Sequence, residues 1–220
     1  MKKSLLRFLA SITINSLLIF ISLLATKGFA EASTPTAKNI KILSFGDSLT
    51  AGYNLKPEEA YPAQLEKLLQ AKGINISIAN AGISGETSHQ GLKRIEWNLK
   101  KGGPYDWVLL CLGANDGLRQ LDLNLMKKNL EEIILKIQKS GSKVILLGMK
   151  LPTNFEKGYR IRFENIYPEI SKKLKIPLFP FLLDGVALDS KLKLDDQMHP
   201  NSDGHKIIAT RLATFLLSFF

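Results

Sequence analysis

The sequence predicts an α/β fold of three layers, with a parallel sheet of five strands between two layers of helices. Three observations lead there. Apolar strand candidates recur at 40–45, 74–79, 107–112, 143–149 and 176–181, each pair separated by enough residues for a helix. The stretches between them carry apolar residues at helical spacing, and strands alternating with helices build crossover units that keep the strands parallel and cover both faces of the sheet. Finally, 220 residues that are 45% apolar and 23% charged suit one globular domain with a full core. No internal repeat, low-complexity tract or interdomain linker interrupts it.

The elements follow in order. Ile40 to Phe45 mixes β-branched and long apolar residues with almost no polar relief, as a strand buried on both faces does. Gly46 ends it, and Gly46-Asp47-Ser48 leads into a helix start. Pro57-Glu58-Glu59 opens a helix that carries Leu65, Leu68 and Leu69 and ends at Gly73. A second helix runs from about Thr87 to Leu99 and stops before Gly102-Gly103-Pro104. Residues 122–139, with Leu130, Ile133, Ile134 and Ile137, form the clearest amphipathic helix, closed by Gly141. Residues 157–173 read as helical despite Pro168, and the last helix, from about Ser202 to Leu217, packs Ile207, Ile208, Leu212 and Phe215.

The first 32 residues are a different material. Lys2, Lys3 and Arg7 form a basic start, residues 8–25 are largely apolar, and Ala30-Glu31-Ala32 has the small-x-small form of a cleavage site. This is a secretory signal peptide, 1–32, ahead of a single domain, 33–220, and it predicts export to the periplasm or beyond. The competing reading is an uncleaved anchor, since about 20 apolar residues span a bilayer. Ser11, Thr13, Asn15, Ser16 and Ser22 dilute the run and weigh against it.

Removing Lys2, Lys3, Arg7 and Lys27 together with Glu31 lowers the 30 basic and 20 acidic residues to 26 and 19, and the net charge from +10 to +7. That surplus favours acidic substrates and transient contact with anionic membrane surfaces. It does not point to nucleic acid, because the lysines are spread over helical segments without interleaved aromatics. The single Cys111 excludes an internal disulfide, and its neighbours Val108, Leu109, Leu110 and Leu112 make it a core residue. Three His, one Cys and scattered carboxylates give no metal-ligand spacing. Nor does Gly46-Asp47-Ser48 match a phosphate-binding loop. No cofactor is expected.

The chemistry concentrates beyond the strand ends. In an open parallel sheet, ligands bind in the crevice outside the carboxyl ends of the strands, and Ser48 stands there. A Ser hydroxyl needs a base to take its proton, and the base needs a third group to orient it and stabilise its charge. Asp196 and His199 sit three apart in Asp195-Asp196-Gln197-Met198-His199-Pro200, so one turn supplies both. The plainer alternative makes Asp47, Ser48 and Asn201 helix caps and His199 a surface residue. Oxyanion donors are on offer at the same edge: the Ser48 N–H, an N–H of the Gly82 to Gly85 loop and the Asn115 side-chain amide. His89 and His205 lack a carboxylate at useful spacing, and the chain has no G-x-S-x-G nucleophile elbow.

Gly46-Asp47-Ser48-Leu49, Asn80-Ala81-Gly82-Ile83-Ser84-Gly85-Glu86-Thr87, Gly113-Ala114-Asn115-Asp116 and Asp196-x-x-His199 occur in the order and spacing of the SGNH (GDSL) hydrolase family. The chain resembles its thioesterase, lysophospholipase and arylesterase branch from about residue 40 onward, including Gly117-Leu118-Arg119 and Leu151-Pro152-x-Asn154. The resemblance implies a flavodoxin-like sheet and a cofactor-free, monomeric serine esterase acting on small acyl esters, thioesters or lipids. It assigns Ser48, Asp196 and His199 to catalysis, with Asp195 the second choice as orienter. Ser48, Gly85 and Asn115 form the oxyanion hole, with Gly82 the second choice of glycine. Leu151, Pro152 and Asn154 fall to substrate binding, although Leu151 to Tyr159 reads equally well as a plain surface loop. A carbohydrate O-acetylesterase and a non-catalytic lipid-binding module are the competing functions.

Overall fold

Five strands form one sheet: β1 (Ile40–Gly46), β2 (Ile76–Gly82), β3 (Trp107–Cys111), β4 (Lys143–Leu147) and β5 (Leu178–Phe179). The structure, a computed structural model, describes residues 38–220, so the predicted signal peptide at 1–32 lies outside the described residues. The strand order is β2-β1-β3-β4-β5 and each pairing is parallel, the flavodoxin-like arrangement that the sequence predicts. Because the chain runs from β1 to β2 and then crosses back over β1 to β3, the strand order reverses at β1. That reversal opens a crevice beyond the ends of β1 and β3.

Seven α-helices accompany the sheet among the described residues: α1 (Ser48–Ala51), α2 (Tyr61–Gln70), α3 (Ser88–Gly102), α4 (Ala114–Leu118), α5 (Leu123–Lys139), α6 (Lys157–Leu174) and α7 (Ser202–Leu216). Helices α2 and α7 pack together, while α3, α5 and α6 pack in sequence on each other. Right-handed crossovers put the helices that follow β2, β3 and β4 on one face and the helix that follows β1 on the other. Central β1 and β3 are buried along almost their whole length, with Ile42, Phe45, Val108, Leu109 and Cys111 fully enclosed.

Four elements differ from the sequence reading. The helix expected from Pro57 to Gly73 is two pieces, a single 3-10 turn at Pro57–Glu59 and then α2. Ala60 between them is extended, and the Tyr61 N–H donates to the imidazole Nδ1 of His205 at 3.0 Å instead of to a helical carbonyl. The fifth strand shrinks to two residues because Pro177 and Pro180 flank it and offer no N–H to a ladder. Strand β2 begins later than expected and continues to Gly82. Asn115 and Asp116 lie within the short helix α4 rather than at its cap, a position Gly113 takes at φ 108°. Helix α6 passes through Pro168, whose solvent-exposed position lets water reach the carbonyl that loses its partner.

Candidate active site

Strand β1 delivers Ser48 as the first residue of α1, and the approach is tight. A Cβ on Gly46 would lie 2.3 Å from Thr50 Oγ1 and 2.5 Å from the Cys111 carbonyl oxygen, so only glycine fits. Asp47 caps α1, its Oδ1 accepting from the Leu49 N–H at 3.1 Å. Its other oxygen is buried without a hydrogen-bond partner among the described residues. Burial pushes this carboxyl up to about 7, against the pull of the Leu49 N–H and with Glu86 and Asp116 adding like charge nearby.

The partner of Ser48 comes from 151 residues away. Its Oγ lies 3.0 Å from His199 Nε2, and His199 Nδ1 lies 2.6 Å from Asp196 Oδ2. The Asp-x-x-His turn divides the carboxylate between two tasks. Oδ1 accepts the backbone N–H groups of Met198 and His199, both at 2.9 Å, and shapes the turn, which frees Oδ2 for the ring. Partial burial works to raise the Asp196 pKa, but the hydrogen bonds from His199 and Met198 prevail and hold it at about 2. A carboxylate ionised at neutral pH thus selects the tautomer with its proton on Nδ1, leaving Nε2 as acceptor toward Ser48. The Tyr53 ring packs on the imidazole with centroids 4.5 Å apart. Leu194 N–H donates to the His199 carbonyl at 2.8 Å and secures the turn to the body. Asp195 is exposed and makes no hydrogen bond or ion pair with His199 among the described residues.

The opposite wall is built from β2 and β3. Gly82 donates its N–H to Asn80 Oδ1 at 2.9 Å, whereas the N–H groups of Ser48 and Gly85 donate to nothing among the described residues. Gly82 has a packing task instead, since a Cβ there would lie 2.1 Å from the Ala51 nitrogen. Gly85 takes φ 79°, a conformation that suits glycine. Asn115 Nδ2 donates to the Glu86 carbonyl at 3.0 Å, and its Oδ1 faces Arg119 Nη2 at 3.4 Å. A carbonyl on one side and a guanidinium on the other fix which way the amide points, and they leave one Nδ2 hydrogen free.

Charges that the sequence reading did not single out hold this wall in place. Glu86, 4% exposed, pairs through both oxygens with Arg94, which also donates to the Gly46 carbonyl at 3.2 Å and stacks over Phe45. Asp116 accepts from the Ser88 N–H at 2.8 Å and the Ser88 hydroxyl at 2.6 Å, and Asn129 donates to Ser88 Oγ at 3.0 Å. Glu86 and Arg94 are eight apart, which shows no pairing pattern in sequence. The Glu86-Thr87 and Asn115-Asp116 dipeptides were its only trace.

Leu151 is buried, with Cδ2 2.9 Å from where a Cβ on Gly117 would sit, while Pro152 and Asn154 are exposed beyond β4. None of the three touches Ser48 or His199 through a hydrogen bond among the described residues. Tyr159 donates to the Gly117 carbonyl at 3.1 Å and lines a hollow of about 440 Å³ with Leu121, Arg162 and Glu169, a space that does not include Ser48. His205 is buried, and burial lowers its pKa to about 4, so it is a neutral acceptor for Tyr61. His89 is exposed. Among the described residues no cluster of His, Cys, Asp or Glu could hold a metal ion.

Residues 44–207 match the model of the GDSL-like lipase/acylhydrolase family. The chain belongs to this family. Thioesterase 1/protease 1/lysophospholipase L1 of Escherichia coli K12 is 38% identical over 172 residues, 78% of this chain and 81% of that protein. An arylesterase of Vibrio mimicus is 34% identical over 197 residues, covering 90% of this chain and 98% of its own. The crystal structure of TesA superposes with a TM-score of 0.78 at 32% identity, over 82% of this chain and 99% of that one. As a GDSL-family member with these relatives, the chain is a hydrolase of the serine esterase type. Its substrate is a small-molecule ester or lipid.

Proposed function

We propose that Ser48, His199 and Asp196 are the nucleophile, base and orienter, and that Ser48 N–H, Gly85 N–H and the free Nδ2 hydrogen of Asn115 bind the oxyanion. One observation carries the reading: the unbroken relay of 3.0 Å from Ser48 Oγ to His199 and 2.6 Å from His199 to Asp196. Ser48 Oγ attacks the acyl carbonyl carbon as its proton passes to Nε2. The carbonyl oxygen becomes negative and meets donors already in place. Collapse expels the alcohol or thiol, which takes the proton back from the imidazolium, and water repeats the cycle on the acyl-enzyme with His199 again as base. The two relatives named thioesterase, lysophospholipase and arylesterase favour acyl esters and thioesters as the substrates. Leu151, Pro152 and Asn154, beyond the end of β4, wall the acyl side of the crevice.

The leader reading extends the proposal to an exported protein, with residues 1–32 as a cleaved signal peptide, working as a monomer with transient membrane-surface contact. Hydrolysis of a p-nitrophenyl ester series from acetate to palmitate tests the site, with Ser48→Ala alongside. Turnover into medium and long chains that falls about 10⁴-fold or more in the variant is expected. Wild-type rates in the variant would remove Ser48 from the mechanism. Activity confined to acetate would favour a carbohydrate O-acetylesterase, and no activity at all would favour the lipid-binding module.

A further inference from the structure

Arg119 is an exposed cation at the rim of the oxyanion wall. Its Nη2 donates to the Gly85 carbonyl at 2.9 Å and leans on Asn115 Oδ1 at 3.4 Å. No carboxylate pairs with it among the described residues, although Arg94, Arg211 and Lys127 each have one. Its Nε and Nη1 have no hydrogen-bond partner among the described residues either, which leaves three N–H donors and a full charge uncommitted. Gly85 brings it close: a Cβ there would be 3.4 Å from Nη2, and glycine sets nothing between the guanidinium and the crevice. Backbone dimensions put a residue's own nitrogen and carbonyl oxygen roughly 3 Å apart. The guanidinium nitrogen that holds the Gly85 carbonyl therefore sits no farther than roughly 6 Å from the Gly85 N–H, within about one headgroup of a bound acyl carbonyl.

We propose that Arg119 forms an anion subsite beside the oxyanion donors and selects esters that carry a phosphate or carboxylate a few bonds from the scissile carbonyl. The proposal rests on the Ser48 reading for where that carbonyl lies. A planar guanidinium with free N–H groups matches both kinds of anion through paired, charge-assisted bonds. Substrates whose charge lies far down a long leaving group gain nothing from it. A neutral ester of the same chain length gains nothing either, so the subsite separates substrates by charge near the ester rather than by acyl length.

Two matched pairs test it. The first is the monodecanoyl ester of glycerol phosphate against that of glycerol, with the anion on the alcohol side. The second is the p-nitrophenyl half-ester of glutarate against p-nitrophenyl pentanoate, with the anion on the acyl side. The quantity read is the anionic-to-neutral ratio of kcat/KM, so any general loss from disturbing Gly85 or Asn115 cancels. Charge-assisted bonds of this kind are worth about tenfold to a hundredfold. The wild type is expected to favour the anion in one pair, through KM and less so at high salt. Arg119→Gln should erase that preference by about tenfold or more, and Arg119→Lys should keep part of it. The pair that responds identifies the side of the ester. No preference in either pair, or a preference that survives Arg119→Gln, overturns the subsite. Calorimetry with the uncleaved analogue of the responding pair separates this from the serine reading: Ser48→Ala protein should bind decyl glycerophosphate (alcohol side) or the p-nitroanilide of glutarate (acyl side) about tenfold more tightly than the Ser48→Ala, Arg119→Gln double variant. That difference stands even if Ser48→Ala still hydrolyses esters.

Discussion

The two walls of the crevice are built by opposite means. On one side, Asp196 and His199 ride a largely exposed turn whose hydrogen bonds are local, within Asp196 to His199 and from Leu194. On the other, Asn115 is held by the Glu86 carbonyl and by Arg119, and the segment that carries Glu86 is pinned from behind by the buried Glu86–Arg94 pair and the Asp116–Ser88 hydrogen bonds, with Glu86 and Asp116 each less than 5% exposed. In the proposed mechanism proton transfer needs an ionised orienter, and the solvated turn favours one. The proposed oxyanion hole needs donors that do not move while charge develops, and the buried Glu86–Arg94 and Asp116–Ser88 contacts behind it favour that.

Replacing a residue of the turn should cost chemistry and little else. His199→Ala is expected to lower kcat about 10⁴-fold or more, no further when combined with Ser48→Ala, while the urea midpoint stays close to wild type. A large loss of stability would mean that the turn is structural after all. The buried wall should respond the other way. Arg94→Ala strands the Glu86 carboxylate and is expected to destabilise the fold by about 3–5 kcal/mol. It should also lower kcat about tenfold or more, because the Glu86 carbonyl positions Asn115. Chemical denaturation and steady-state rates read both, and an unshifted midpoint would erase the contrast between the walls.

Asp47 gives the finest probe. Its folded pKa of about 7 lies above the unfolded value near 3.8, so the native state holds a proton that the unfolded chain gives up. Stability should fall as pH rises from about 4 to about 7 and level off above. Asp47→Asn keeps an acceptor for the Leu49 N–H and cannot ionise. The variant should gain on the wild type over that window, as urea midpoints at stepped pH would record. A gap that did not change with pH would mean that Asp47 stays ionised in its buried place.

The same contrast explains what the sequence made legible. The positions of β1 and β3 followed from apolar runs, because burial on both faces favours apolar residues, with Ser44 admitted through its hydrogen bond to Tyr61. Asp196 and His199 were readable because their geometry is local, three residues on one turn. The residues alone left Gly82 and Gly85 both open, and only the resemblance favoured Gly85, since the difference between them lies in Asn80 taking the Gly82 N–H. The Glu86–Arg94 pair and the Asp116–Ser88–Asn129 chain join residues that only the fold brings together. The split before α2 escaped for the same reason: the acceptor for Tyr61 is His205, 144 residues on. The shortness of β5 was missed because the apolar run at 176–181 outweighed Pro177 and Pro180, which offer no N–H to the ladder.

Ser48 and His199 meet across 151 residues of chain, one at the exit of β1 and the other just before α7. Closing so long a loop is among the entropically costly and therefore late events of folding. If Ser48 and His199 act as proposed, turnover is a stopwatch for the whole domain: after dilution from denaturant it returns only when the first strand and the segment before the last helix have both docked, while far-ultraviolet signals recover earlier. The protein needs no added dye or label to report when it has finished folding.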